Sequence, residues 1–148
     1  AALDGAPGIH SARFAGTAED VAANISKLLD VLRGVPDRRA RFVCHAACLL
    51  GPEWPVEVVP DGDSGVAVIG DRSRTPAGCR LLVATGEVAG RIIDVPAGDD
   101  GFGYDPIFFL DDLGCTFAQL GRDQKNALSH RGRAFRALRA AIERMMRG

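Results

Sequence analysis

The stretch "GFGYDPIFF" (Gly101–Phe109) joins a glycine-rich turn to the start of an apolar strand. Gly101 and Gly103 allow backbone angles that are closed to other residues, which leaves the ring of Phe102 free to project. The proline that follows Asp105 favours an extended conformation for that residue and begins the strand. Because burying an unpaired carboxylate is expensive, Asp105 requires a partner. Without one, the stretch is an ordinary turn that carries a core phenylalanine.

A second stretch, "QKNALSHRG" (Gln124–Gly132), gathers polar side chains where a helix is expected to begin. Its candidate ligand-binding residues are Lys125, Ser129, His130 and Arg131. The simpler interpretation makes Ser129 a helix cap and leaves the cations in solvent. Taken with the first stretch, these residues complete a set of one stacking ring, one acceptor and several donors. That set suits a nucleobase, because aromatic stacking accepts any base and donors at the base edge discriminate between bases.

The composition is that of one ordinary globular domain, residues 1–148, with 47% apolar and 25% charged residues. The net charge of −1 gives no general attraction to nucleic acid or to a membrane surface. No apolar run approaches the roughly 20 residues of a membrane span, and "AALDGAPG" (1–8) lacks the features of a signal peptide. We therefore expect a cytoplasmic protein with neither nucleic-acid nor membrane partners.

The cysteines raise the question of a metal site. Cys44 and Cys48 flank His45, but "CHAAC" has the pattern of a buried strand in which both thiols point the same way. The chain contains no Cys-x-x-Cys pair, so the usual zinc spacing is absent. We expect reduced core thiols and no metal site in this chain.

The first half of the chain predicts one helix and one strand. After a loop over residues 5–16, Thr17 opens a helix with Asp20 as a variant capping box, and Gly34 ends it. The near-continuous apolar run "RFVCHAACLL" (41–50) predicts a central strand that is covered on both faces.

The middle of the chain, residues 51–79, predicts short strands at "VEVV" (56–59) and "VAVI" (66–69). Strand signals resume over residues 80–88 and 91–95. These two segments form either a hairpin or one bent long strand.

From about Asp123 the sequence predicts a helix with a buried apolar stripe. The residues of that stripe are Leu128, Phe135, Leu138, Ile142 and Met145. Segment 121–148 carries eight Arg or Lys against two acidic residues, and such charge opposite an apolar stripe is usually a solvated face rather than a nucleic-acid site. The alternation of strands and helices predicts an α/β or α+β fold, of which we take α/β, with a mixed central sheet flanked by helices.

The segments "GFGYDPIFF", "TFAQL" and "QKNALSHRGRAF", in this order and spacing, resemble the pyrophosphatase family that hydrolyses inosine and xanthosine triphosphates (ITP and XTP). "GAPGIHSARFAG" is similar to the family's loop before its first long helix, and "RARFVCHAACLL" to its central strand. The similarity covers most of 1–50 and 80–140. It implies the family's fold and a homodimer. It also implies hydrolysis of ITP, XTP and their deoxy forms to monophosphate and pyrophosphate with Mg²⁺, which removes them from the nucleotide pool.

The substrate-binding residues that the resemblance implies are Phe102, Gly103, Tyr104, Asp105, Lys125, Ser129, His130 and Arg131. Phe102 would stack on the purine, and Asp105 would bind the base or orient its neighbours. Lys125, His130 and Arg131 would contact the base edge, with the phosphates as the alternative for Lys125. Donors there pair with a purine O6, whereas the amino group of adenine leaves them unpaired. Guanine also carries O6, so its rejection is not explained by these residues.

Two further motifs of the family would lie before Ala1: a Ser/Thr-Asn-Lys loop for the triphosphate, and an Asp-Asp-Ser-Gly stretch with the metal-binding carboxylate and general base. We therefore expect a chain that lacks the family's N-terminal strand and helix and holds no catalytic base or metal ligand itself. "GDSG" (62–65) resembles the acidic motif but follows the central strand, within an insertion at 51–79, and we interpret it as a turn. The alternative function is a catalytically silent purine-nucleotide-binding or subunit-pairing protein.

Overall fold

The computed structural model describes residues 2–16, 20–54, 66–69, 76 and 78–147. The strands of this part of the chain are β1 Arg39–Leu50, β2 Val66–Ile69, β3 Arg80–Ile92, β4 Phe108–Leu110 and β5 Cys115–Thr116. Its α helices are α1 Val21–Val31, α2 Arg122–Leu128 and α3 His130–Arg147. None of the helices in these ranges is long and apolar enough to cross a membrane.

The strands form one sheet in the order β1-β3-β4-β5, and β2 also pairs with β3. The pairings of β2 with β3, β3 with β4 and β4 with β5 are antiparallel. β1 also opposes β3 in direction, because Arg38 lies beside Ile92 while His45 lies beside Thr85. The described sheet is therefore antiparallel, and the prediction of a mixed sheet is wrong for these strands. Only residues 111–114 separate β4 from β5, which is too short for a parallel crossover.

Strand β1 confirms the strand predicted over 41–50 and begins two residues earlier. Its residues alternate between an inward and an exposed face, so the prediction that both faces are covered is wrong. Ala46 and Leu50 are buried, whereas Leu49 is 52% exposed. The run contains many small residues, and these give an apolar signal whichever face they occupy.

Strand β3 continues without interruption through residues 80–92, which selects the bent long strand over the hairpin. Gly90 lies within it, and a Cβ at this position would collide with the carbonyl oxygen of Phe109 and the ring of Phe108. This glycine therefore permits the close approach of β4 to β3.

The chain divides into two compact units, and the first comprises residues 1–41 and 89–125. Its helix α1 begins after Asp20, whose carboxylate accepts a hydrogen bond from the backbone N–H of Ala23 at 2.9 Å. The N–H of Leu32 closes the last turn on Leu28. Asp20 is thus the cap itself, and the opening predicted at Thr17 lies outside the described residues.

The core of this first unit gathers around β4. The rings of Phe108 and Phe117 lie 5.6 Å apart at 43°, and both side chains are buried. Ile107, which precedes Phe108, and Leu120, which follows Phe117, are also buried. This packing fixes the strand that directly follows the glycine-rich turn.

The second unit comprises residues 42–88 and 126–148, and its core lies between α3 and the inward faces of β1 and β3. Its buried residues are Ala46, Leu50, Leu82, Ala84, Ala134, Leu138, Ala141 and Met145. Leu138 and Met145 confirm part of the predicted stripe, but Phe135 is 59% exposed. Ala134 and Ala141 occupy the core positions because α3 lies close to the sheet. At Gly86, a Cβ would collide with the carbonyl oxygen of His130.

The thiols of the second unit lie as predicted. Cys44 and Cys48 are half-buried and pack against this core. His45 faces the other side of β1, where its Nδ1 lies 2.8 Å from the hydroxyl of Thr85. A strand therefore separates the imidazole from both thiols, which argues against a shared metal site.

The single helix predicted from Asp123 is divided into α2 and α3 at Ser129. Arg136 donates to the carbonyl oxygens of Asn126 at 2.9 Å and Ala127 at 2.5 Å, which satisfies the end of α2. In the region 51–79, "VAVI" is strand β2 as predicted. The predicted strand at 56–59, the turn at 62–65 and most of the predicted insertion lie outside the described residues.

Candidate functional site

The glycine-rich turn is built around a buried ion pair. Asp105 is 4% exposed, and its Oδ2 accepts a hydrogen bond from Lys125 Nζ at 2.5 Å. The same oxygen accepts the backbone N–H of Phe102 at 3.0 Å. Lys125 is thus the partner that the sequence required for this carboxylate. Asp105 orients its neighbours, which was one of the two roles considered for it.

Phe102 projects from this turn as expected. Its side chain is 60% exposed, while its backbone N–H is fixed by Asp105. Lys125 Nζ lies 5.8 Å from the centre of its ring. An exposed aromatic ring on a held backbone, beside a cation, is suited to stacking on a flat, electron-rich ligand.

The two glycines of the turn serve different purposes. Gly101 has φ +121°, and a Cβ there would overlap both Asp105 Oδ2 and Lys125 Nζ. Gly103 has φ +60° and open space where a Cβ would stand. Gly101 therefore makes room for the ion pair, whereas Gly103 supplies only the left-handed backbone.

Tyr104 differs from its neighbours in pointing into the protein. It is 8% exposed, and its hydroxyl donates to the backbone carbonyl of Ser11 at 2.9 Å. Burial raises the pKa of this phenol, so the hydroxyl remains a donor at neutral pH. The structure therefore gives Tyr104 a contact with the loop at residues 5–16 that the sequence did not predict.

That loop contains the short 3₁₀ helix Gly8–Arg13 and is held by α1 as well. The amide of Asn24, 4% exposed, donates to Ala12 O at 3.1 Å and accepts from the N–H of Ala15 at 2.6 Å. Lys27 donates to Phe14 O at 2.6 Å and lies over its ring. Neither side chain was predicted to hold the loop, although Asn24, a polar residue on the apolar face of the predicted helix, was an available signal.

The second predicted set lies at the start of α3. Ser129 Oγ accepts the backbone N–H of Gly132 at 3.0 Å, which is the capping role considered for it. The ring of His130 is stacked on Phe42 with centroids 5.0 Å apart. Arg131 is exposed. Phe102, Asp105 and Lys125 belong to the first unit, and Ser129, His130 and Arg131 to the second.

Residues 2–16, 20–54, 66–69, 76 and 78–147 contain no group of three or more His, Cys, Asp or Glu side chains placed to hold a metal ion. The buried carboxylate of Asp105 already faces the Lys125 cation. The described residues therefore do not fit the Mg²⁺ ion that the resemblance implies.

Comparison with known proteins places these motifs in a family. The model of the Ham1 family matches residues 1–141. The dITP/XTP pyrophosphatase of Lactobacillus johnsonii is 41% identical over 140 residues, covering 95% of this chain and 57% of that protein. The enzyme of the same name from an Exiguobacterium species is 42% identical over 147 residues, covering 99% of this chain and 62% of that protein.

Comparison with solved structures points to the same family as the sequence comparisons. The Staphylococcus aureus Ham1 protein superposes with a TM-score of 0.71 at 39% identity, over 96% of this chain and 60% of that one. A Ham1 protein from Coxiella burnetii gives a TM-score of 0.73 at 32% identity, over 97% of this chain and 61% of that one. The chain thus spans less than two thirds of the length of these relatives. On the family match, the sequence identity and the shared fold together, this chain belongs to the Ham1 family.

Proposed function

We propose that this chain binds the purine of ITP, XTP and their deoxy forms, and that it serves their hydrolysis to monophosphate and pyrophosphate. The relatives named dITP/XTP pyrophosphatase support this assignment. The observation that carries it is the turn at 101–105, which holds an exposed aromatic ring in place with a buried carboxylate and a lysine.

In this proposal Phe102 stacks on the purine. Asp105 accepts the backbone N–H of Phe102, so the ring projects from a backbone that is held, and stacking on the purine would order its exposed side chain. Stacking on an aromatic side chain contributes about 1–3 kcal/mol per base and does not depend on which base is bound. Selectivity therefore has to come from polar groups at the base edge.

We assign that selectivity to donors from Lys125, His130 and Arg131, with Gly103 and Ser129 shaping the backbone that presents them. A 6-oxo purine accepts hydrogen bonds at O6, whereas adenine presents an amino group there and leaves the donors unpaired. The two sets of residues lie in separate compact units, and their joint use on one ligand is part of the proposal. Its support is the order and spacing of the two motifs along the chain.

A second candidate is purine-nucleotide binding without turnover, either as a silent binding protein or as a subunit that pairs with another. It is favoured because the side chains assigned above act on the base, and Lys125, which was also considered for the phosphates, lies 2.5 Å from Asp105 Oδ2. We also propose a cytoplasmic homodimer, on the sequence and the resemblance alone. Sedimentation of the purified chain tests the dimer.

Calorimetry with ITP and ATP, followed by a pyrophosphate-release assay with Mg²⁺, separates these candidates. Binding of ITP in preference to ATP, with release of pyrophosphate, supports hydrolysis by this chain. The same binding without release supports the second candidate. If neither the wild-type chain nor its oligomer binds ITP, both candidates are wrong. The Phe102→Ala variant serves as the control, since it removes the exposed stacking ring and should weaken binding of both nucleotides.

A further inference from the structure

Tyr104 joins two parts of the first unit that are far apart in the sequence. Its backbone belongs to the turn at 101–105, between Phe102 and Asp105. Its hydroxyl donates to the carbonyl of Ser11 at 2.9 Å, within the loop at residues 5–16. Because the side chain is buried, the bond is shielded from competing water and is the stronger for it.

The loop on the other side of this bond is hydrogen-bonded to α1 through residues 12–15 and carries an exposed side chain at residue 9. Asn24 and Lys27 hold Ala12, Phe14 and Ala15 from the side of α1. By contrast, Ile9 at the tip is 89% exposed. The hydroxyl of Tyr104 provides a hydrogen bond between this loop and the turn.

We propose that Tyr104 is a positioning residue that couples the order of the loop at residues 5–16 to occupancy of the turn at 101–105. The inference rests on the proposed function, because purine binding is what would occupy the turn. A ligand that stacks on Phe102 restrains the backbone of Tyr104 two residues away. The Tyr104 hydroxyl then transmits that restraint to Ser11, and the loop becomes more ordered. By linkage, if binding of the purine favours the ordered loop by a given factor, ordering of the loop raises the affinity of the turn for the purine by that same factor.

Amide hydrogen exchange of Ala15 and Gly16 measures the order of the loop. The N–H of Ala15 is bonded to Asn24 and that of Gly16 to Arg13, so both exchange only when the loop opens. In the wild-type chain, saturating ITP is expected to slow exchange at both amides by about fivefold or more. In Tyr104→Phe the ITP-induced slowing disappears, and ITP affinity falls by the same factor.

Lys27→Met is the matched control, because Lys27 holds the same loop without contacting the turn. In this variant the two amides exchange faster without ligand, but ITP still slows them by the wild-type factor. A purely structural Tyr104 would behave in the same way as Lys27. Retention of the full ITP-induced slowing in Tyr104→Phe would therefore overturn the coupling.

The coupling can be separated from the proposed function. If the wild-type chain does not bind ITP, the proposed function is wrong, and a ligand-free comparison decides the coupling. Lys125→Met removes the cation that holds the turn. This substitution should speed amide exchange at Ala15 and Gly16 when Tyr104 is present. In a chain that already carries Tyr104→Phe, it should cause no further increase in exchange. Equal effects in the two backgrounds contradict the coupling. If Tyr104→Phe does not fold, unchanged loop exchange in Lys125→Met contradicts it as well.

Discussion

At the scale of single residues, the candidate site follows from the need of the Asp105 carboxylate for a partner. Its place between a glycine-rich turn and an apolar strand required a partner for a buried charge, and the polar stretch twenty residues later offered several candidates. The structure shows that Lys125 is the partner, at 2.5 Å. Tyr104 could not be interpreted in the same way, because its hydrogen bond ends on the backbone of Ser11. A carbonyl acceptor has no side-chain signature in the sequence.

Removal of Lys125 is expected to be costly, because it leaves the buried Asp105 carboxylate without its cation. We predict that Lys125→Met lowers the free energy of unfolding by about 3–5 kcal/mol. The double variant Lys125→Met with Asp105→Asn should be more stable than Lys125→Met alone, since no uncompensated charge remains. Urea denaturation of the single and double variants checks both statements. A Lys125→Met variant as stable as wild type would show that the pair contributes nothing.

The two glycines of the turn offer a paired test of the space around that ion pair. Gly103→Ala places a side chain in open space at φ +60° and should cost about 1–2 kcal/mol. Gly101→Ala adds a collision with Asp105 and Lys125, and its φ of +121° lies outside the left-handed region that other residues adopt, so its loss of stability should be clearly larger. Denaturation midpoints of the two variants give the comparison. Equal losses would mean that the ion pair moves aside at no cost.

The stability of the fold is expected to depend on pH through Asp37, which lies just before β1. Hydrogen bonds from the Arg39 side chain, and then from its backbone N–H, lower the pKa of Asp37 from 3.8 to about 2. Since the pKa falls on folding, the pair stabilises the fold above pH 3.8, and the contribution is lost as the pH falls through about 2. A carboxyl titration by NMR should therefore give a midpoint near 2 in the wild type. In Arg39→Gln the midpoint should return toward 3.8; an unmoved midpoint would exclude Arg39 as the cause.

At the scale of elements, the sequence predicted which segments are strands and helices better than which of their faces are buried. Periodicity located β1 and α3, but Phe135 was assigned to the core and is exposed. The buried stripe is instead formed by Ala134, Leu138, Ala141 and Met145, and Phe135 lies one residue, about 100°, around the helix from Ala134. The small residues Gly86 and Ala134 also let α3 lie close to β3. A pattern of apolar residues carries no information on the distance between helix and sheet.

Gly86 should therefore be sensitive to any added side chain. A Cβ there would collide with backbone atoms of His130 and Ala134, which cannot rotate away. We predict that Gly86→Ala lowers the free energy of unfolding by about 2–3 kcal/mol. Thr85→Ala, the neighbouring position, removes only a bond to exposed His45 and should cost about 1 kcal/mol or less. A Gly86→Ala variant no less stable than Thr85→Ala would contradict the close packing of α3.

On the scale of the whole molecule, the resemblance identified the family correctly, and the match to the Ham1 family covers residues 1–141. The antiparallel direction of the described strands was not predicted, because alternation of helix and strand signals says little about the path between strands. Nor could the sequence distinguish a silent binding protein from an enzyme. Binding requires only the residues that grip a base, whereas hydrolysis also requires groups at the phosphates.

The central claim is that the motif at 101–105 and the motif at 125–131 bind one purine. The most direct test is NMR of the complex with ITP, in which nuclear Overhauser effects join the purine protons to side chains within a few ångströms. We predict contacts from the same bound base to the ring of Phe102 and to the side chains of His130 and Arg131. Contacts to one motif alone, or none to either at saturating ITP, would contradict the claim.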